Sequence, residues 1–154
     1  DKTAQAEMIE LNCTALSRIT FCCLPCLSRG SRIIQMASAA AFSPQPSFAV
    51  YAATKAYVLS FSRSLRAELK RRGIYVTAVC PGPVDTEFFR VSGELDNPLK
   101  KLVKVRPQGV VRKALLDSRA GKDISVYGLP MKCAHAASKL LPHRLILAFM
   151  GGKP

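Results

Sequence analysis

The strongest constraint on this chain is an alternation of two periodicities along it. Two short apolar runs, Ile33-Ile34-Gln35-Met36-Ala37 and Ile74-Tyr75-Val76-Thr77-Ala78-Val79-Cys80, flank a long segment of helix formers from Tyr51 to Arg72. Short apolar runs bounded by breakers read as strands buried on both faces. Ser28-Arg29-Gly30-Ser31 precedes the first run, and Pro81-Gly82-Pro83 ends the second. Gly73 stands where a helix needs a residue that tolerates the left-handed region. Upstream, Ala4, Met8, Leu11, Ala15 and Ile19 recur at three- and four-residue spacing, which predicts a helix over residues 1 to about 27. Ala39 to Val50, with Pro44 and Pro46, predicts a loop. Pro107 opens a helix to about Ala120, and Asp123 to Tyr127 reads as a third strand. Residues 129–150 predict a helical tail broken near Pro142.

That order implies an α/β fold: a parallel sheet with flanking helices and right-handed crossovers. The sheet-bearing portion is expected over residues 1–128 and the C-terminal helical tail over 129–154. Ligands of such sheets bind beyond the carboxyl ends of the strands, which singles out the residues after Ala37, Cys80 and Tyr127. The 154 residues suffice for one hydrophobic core, and a start at Asp1 rather than Met leads us to expect a processed or partial chain.

Composition narrows the partners. The formal charge is +13, but the clusters at Arg63, Arg66, Lys70, Arg71 and Arg72 and at Lys100, Lys101, Lys104 and Arg106 lack interleaved aromatics. Solvated helix faces are expected rather than a nucleic-acid surface. No apolar run reaches the roughly 18 residues of a membrane span, and the polar start is not a secretory signal, so a cytoplasmic location is expected. The six cysteines are expected to be reduced and mostly buried. Cys23-Leu24-Pro25-Cys26 has no second CxxC and lies near a helix end, so no metal site is expected. His135 and His143 lack partners at ligand spacing and read as surface or packing residues. The tail mixes leucines with Lys132, Lys139 and Arg144. Such a tail can lie on an anionic membrane, though the reading taken is that it covers a substrate pocket or packs on a partner.

Reactive residue types gather at the strand ends. Ser38 follows the first strand, and thirteen residues later comes Tyr51-Ala52-Ala53-Thr54-Lys55. The i, i+4 spacing puts Tyr51 and Lys55 on one helix face. A free tyrosine titrates at about 10, too high for efficient proton transfer near neutrality, and an adjacent ammonium favours its phenolate. Ser38 can donate a hydrogen bond to a carbonyl oxygen. Together the three side chains make an acid/base centre with an oxygen-polarising partner. Asn12, a poor helix former, sits in the middle of the first helix.

In Asn12, Ile33 to Ser38, Tyr51 to Lys55 and Val79 to Thr86, the chain resembles the short-chain dehydrogenase/reductase family, from residue 1 to about 130. The resemblance implies the C-terminal, catalytic portion of a Rossmann-fold oxidoreductase that uses NAD or NADP and acts on a small carbonyl or alcohol. It implies Tyr51 as general acid/base, Lys55 as the group that tunes it and holds the nicotinamide ribose, and Ser38 as the residue that positions the substrate oxygen. Asn12 would hold a water of the proton relay. Pro81, Gly82, Pro83, Val84 and Thr86 would line the nicotinamide. The stretch Phe48 to Ala56 looks most like the branch of ketoacyl and hydroxysteroid reductases, and a homo-oligomer is expected. The family's glycine-rich GxxxGxG loop is absent from this sequence. The pyrophosphate loop and the residues that choose between NAD and NADP therefore lie outside it. That departure leaves a second reading open, an inactive remnant that acts as an interaction module.

Overall fold

The computed structural model describes residues 2–85 and 105–149. Helix α1 (Lys2–Ile9) runs into a wide π turn (Glu10–Ala15), which leads into α2 (Leu16–Cys23) and a 3-10 turn (Leu24–Cys26). Strand β1 (Arg32–Met36) follows, then a 3-10 turn (Ala39–Phe42) within the expected loop. The long helix α3 (Ala49–Leu69) ends in a 3-10 turn (Lys70–Arg72), and Gly73 adopts φ 67°, the left-handed cap its position predicts. Strand β2 (Tyr75–Val79), helix α4 (Pro107–Arg119), strand β3 (Ile124–Ser125) and helices α5 (Leu129–Leu140) and α6 (His143–Phe149) complete the order.

The three strands form one parallel sheet in the order β1-β2-β3. Arg32 lies opposite Tyr75 and Met36 opposite Val79, so the two apolar runs are in register along their whole length. The third strand is shorter than expected. Only Ile124 and Ser125 pair, with Ala78 and Val79, and the amides of Ala78 and Cys80 donate to Asp123 and Ser125 at 2.9 and 2.8 Å.

Alternation along β2 builds the core. On one face Val76, Ala78 and Cys80 pack against Val58, Leu65 and Leu69 of α3. On the other, Val79 meets Val110 and Ala114 of α4. Helices therefore cover both faces of the sheet, as a parallel sheet requires. Beyond that cover, Met36 on β1 is 53% exposed.

Two expectations need correction. The cysteines are free, but only Cys80 is buried and Cys13 half-buried, while Cys22, Cys23, Cys26 and Cys133 are exposed. These four sit on the outward sides of short helices, where no second layer of the described residues covers them. The basic run on α3 is not wholly solvated either. Arg66 donates to the carbonyls of Val76 at 3.2 Å and Gly121 at 2.6 Å, and Arg72 to those of Leu24 and Leu27 at 2.9 and 3.0 Å. These guanidiniums close carbonyls that the strand and helix ends leave open.

The end of α4 is held by a charge cluster. Asp117, buried, accepts from Lys113 Nζ at 2.5 Å and from Ser125 Oγ at 2.8 Å, with Lys122 Nζ at 2.9 Å. Burial pushes the Asp117 carboxyl up, but Lys113, Lys122 and Ser125 together hold it below the usual carboxylate range. A depressed pKa in the folded state gives stability that is present above the unfolded pKa and lost as pH falls through the folded one. Asp117→Asn should therefore lower stability by about 2 kcal/mol at neutral pH. The gap to the native chain should narrow in acid, at a pH below the usual carboxylate range, as the native carboxyl takes up its proton in the folded state as well. Denaturant melts at the two pH values check this, and an equal gap at both would contradict it.

Candidate active site

The carboxyl end of β1 opens onto the 3-10 turn Ala39–Phe42. Ser38 caps this turn in extended conformation, φ −165° and ψ 160°, and its Oγ accepts from the Ala40 amide at 3.1 Å. The neighbouring amide of Ala39 donates to the Pro81 carbonyl at 2.8 Å, which ties the ends of β1 and β2 together. Ser38 and the Pro81-Gly82 segment thus lie side by side, although they are far apart in sequence.

Helix α3 begins just beyond this turn. Lys55 reaches back from its second turn, and its Nζ donates to the Met36 carbonyl at 3.1 Å, the last residue of β1. The same Nζ lies 5.7 Å from the centroid of the Tyr51 ring. Burial pushes the Lys55 ammonium below the ordinary lysine range, and Cys13 nearby pulls it back up. Ser38, Tyr51 and Lys55 therefore gather at one strand end, where the strand-end rule places a ligand.

Asn12 joins them from the first helix. It sits inside the π turn, and its Nδ2 donates to Thr54 Oγ1 at 3.1 Å. Thr54 in turn donates to the Tyr51 carbonyl at 2.9 Å. This Asn12–Thr54–Tyr51 chain fixes the first turns of α3 against the first helix. Thr54 is buried, and it is the site residue that sequence reasoning missed. Its place inside the Tyr51 to Lys55 segment was visible, but its partner lies 42 residues away. π turns of this kind are frequent at functional sites, because the extra residue re-aims the side chains around it.

The far wall is built by Pro81 to Val84 and by α5. A Cβ on Gly82 would come within 2.6 Å of Met131 Sδ on α5, so a side chain at position 82 would have to displace the thioether of Met131. His135 of α5 stacks on Phe42 at 4.5 Å between ring centroids, which makes it a packing residue of the Ser38 turn. Burial pushes its imidazole below the ordinary histidine range, with Lys139 and Arg63 acting in the same direction. Pro83 and Val84 lie on the segment that bridges to Val105. Thr86 lies outside the described residues. Cys80, beside the site, is held inert, because burial pushes its thiol up to about 12. Among the described residues no cluster of His, Cys, Asp or Glu could hold a metal ion.

Comparison with known proteins gives a consistent picture. The family described as short chain dehydrogenase matches residues 1–96. A sulfoacetaldehyde reductase of Chromohalobacter salexigens is 38% identical over 94 residues, which is 59% of this chain and 37% of that protein. A short chain dehydrogenase from Burkholderia cenocepacia, solved in complex with NADP, superposes with a TM-score of 0.81 at 24% identity over 98% of this chain and 62% of that one. One from Sphingobium yanoikuyae, in complex with NADPH, gives 0.70 at 27% identity over 95% and 57%. The chain thus spans little more than a third of the curated relative and about three-fifths of the solved chains.

The Asn12–Thr54 contact can be tested alone. Thr54→Val keeps the shape but removes both the acceptor for Asn12 and the donor to Tyr51. It should cost about 1–3 kcal/mol in a thermal or denaturant melt, whereas Thr54→Ser should recover most of that loss. Equal melts for Val and Ser would show that the hydroxyl holds nothing.

Proposed function

The chain belongs to the short-chain dehydrogenase family, and from that premise we propose that it carries the catalytic portion of an NAD(P)-dependent oxidoreductase moving hydride between nicotinamide and a carbonyl or alcohol. The observation that carries this reading is the gathering of Ser38, Tyr51 and Lys55 at the carboxyl end of β1, with Asn12 braced against them through Thr54. Residues 1–128 are the sheet-bearing portion in this reading, and the tail from residue 129 lies over its strand ends. The substrate class follows the likeness of Phe48 to Ala56 to ketoacyl and hydroxysteroid reductases. The protein's own partner is a second copy, and the exposed Leu11, Ile19 and Phe21 of the first helical segment suit such a contact.

The residues at the site fit the nicotinamide end of the cofactor. Lys55 offers an ammonium at the strand end, and Gly82 adds no side chain of its own to the neighbouring segment, against which the side chain of Met131 packs. Lys55 would hold the ribose hydroxyls, and Pro81 to Val84, with Thr86, would line the ring. When bound, the cofactor supplies or accepts the hydride. No glycine-rich loop in this sequence fits the pyrophosphate.

The chain's own residues handle the proton. Ser38 Oγ donates to the substrate oxygen and orients it. Tyr51 gives its phenolic proton to that oxygen in the reducing direction and takes one back in the other. The Lys55 ammonium stabilises negative charge on the phenolic oxygen while the proton is away. Asn12 holds the water that resupplies the proton.

In the full-length enzyme, Tyr51→Phe should lower kcat by about 10²–10⁴-fold with the fold intact, measured by nicotinamide absorbance and circular dichroism. Turnover near that of the native enzyme would remove Tyr51 from this role. Lys55→Met should both weaken cofactor binding and move the pH–rate profile to higher pH. A fall in rate with an unmoved profile and unchanged affinity would contradict the dual role.

The absence of a GxxxGxG loop favours a second reading, an inactive remnant that serves as an interaction module. Calorimetric titration of residues 1–154 with NADH and NADPH bears on both. The leading reading expects weak binding here and tight binding in a longer protein that supplies the loop. No binding and no turnover in any longer form would favour the remnant.

A further inference from the structure

Helix α5 has two unlike faces. Met131, His135 and Ser138 turn inward, against Gly82, against Phe42 and within the helix respectively. The opposite face is formed by Leu129, Cys133, Ala136 and Leu140 at helical spacing, all exposed, with Leu129 73% and Leu140 82% accessible. Lys132 and Lys139 flank this stripe and are exposed as well. Leu141 and then Leu145 of α6 continue it, beside an exposed Arg144. Leu147 of α6 turns the other way, into an apolar cavity of about 490 Å³ against Phe42 and α3. The leucines therefore point outward because the inward positions of both helices are already used.

Charge decides what can cover this face. The sequence contains no Asp or Glu after Asp123, whereas Lys132, Lys139, Arg144 and Lys153 all follow it. A second copy meeting the same face about a two-fold axis would bring lysines onto lysines with no acid on α5 or α6 to pair them. An anionic lipid surface offers what is missing. Exposed leucines can enter the boundary between headgroups and acyl chains, and the flanking amines can extend their stems toward the phosphates. No helix among the described residues is long and apolar enough to cross a membrane, so these helices would lie along it.

We propose that the outward face of α5 and α6 is a docking surface for an anionic lipid bilayer. It places the protein's strand-end site close to the membrane, with α5 between the two. This holds whether or not Tyr51 acts as the proton donor.

The test is flotation of the full-length protein with vesicles of phosphatidylcholine, alone or with about 30 mol% phosphatidylglycerol. Co-flotation is expected with the anionic vesicles, weak or absent with phosphatidylcholine alone, and falling as salt rises. Leu140→Glu with Leu145→Glu should reduce partitioning at least about tenfold. Lys132→Glu with Lys139→Glu should reduce it comparably. All four positions are exposed, so circular dichroism melts should stay unchanged. Absence of anionic-vesicle binding by the native protein overturns the proposal, as does binding that survives both double variants. A loss of self-association in the leucine variant with vesicle binding unchanged also overturns it, and would assign the face to a contact between copies.

Discussion

The parallel pairing of β1 with β2 is the constraint from which the rest of the site follows. Two parallel neighbours need a crossover that starts at the carboxyl end of one and returns to the amino end of the other. Here that crossover is α3, so its first turns must stand over the end of β1. Tyr51 and Lys55 lie in those turns, and Lys55 Nζ bonds to the carbonyl of Met36, the last residue of the strand. Pairing of Arg32 to Met36 with Tyr75 to Val79 then brings Ser38 and Pro81 to the same level, where the Ala39 amide joins them.

The first helical segment completes the site from the α3 side of the sheet. Gln35, buried on β1, donates from Nε2 to Thr20 Oγ1 of α2 at 2.9 Å. That bond fixes the height of the segment on the sheet, because an unmet amide there would be costly. With the height set, the π turn carries Asn12 to Thr54. Aromatic contacts strengthen the same contact between helices, with Phe21 edge-on to Phe61 at 5.7 Å and Ser17 Oγ 2.7 Å from Tyr57 Oη. The turn of α3 that carries Tyr51 and Lys55 is thus held from below by the strand end and from the side by Asn12.

The C-terminal helices show one element serving two surroundings. Met131 and His135 close over the strand ends, Met131 against Gly82 and His135 against Phe42. The outward leucines stand exposed, and no Asp or Glu follows Asp123 in the sequence. A tail that only covered a pocket would need one apolar face; this one carries two.

Sequence alone determined the order of the strands and long helices and the joint placement of Tyr51 and Lys55. Each is a local matter: apolar runs between breakers, a glycine cap at Gly73, and a four-residue spacing on a helix. The resemblance to a known family rested on those same residues. Tertiary structure alone decided four things. It joined Asn12 to Thr54 across 42 residues, turned Arg66 and Arg72 from solvated charges into ties on open carbonyls, and left four cysteines on the surface. It also cut the third strand to Ile124 and Ser125, because only those two positions find partners on β2. The physical reason is common to all of them. Periodicity reports which face of an element is apolar, but hydrogen-bond partners and burial depend on what another element brings opposite, and that information is not local in the chain.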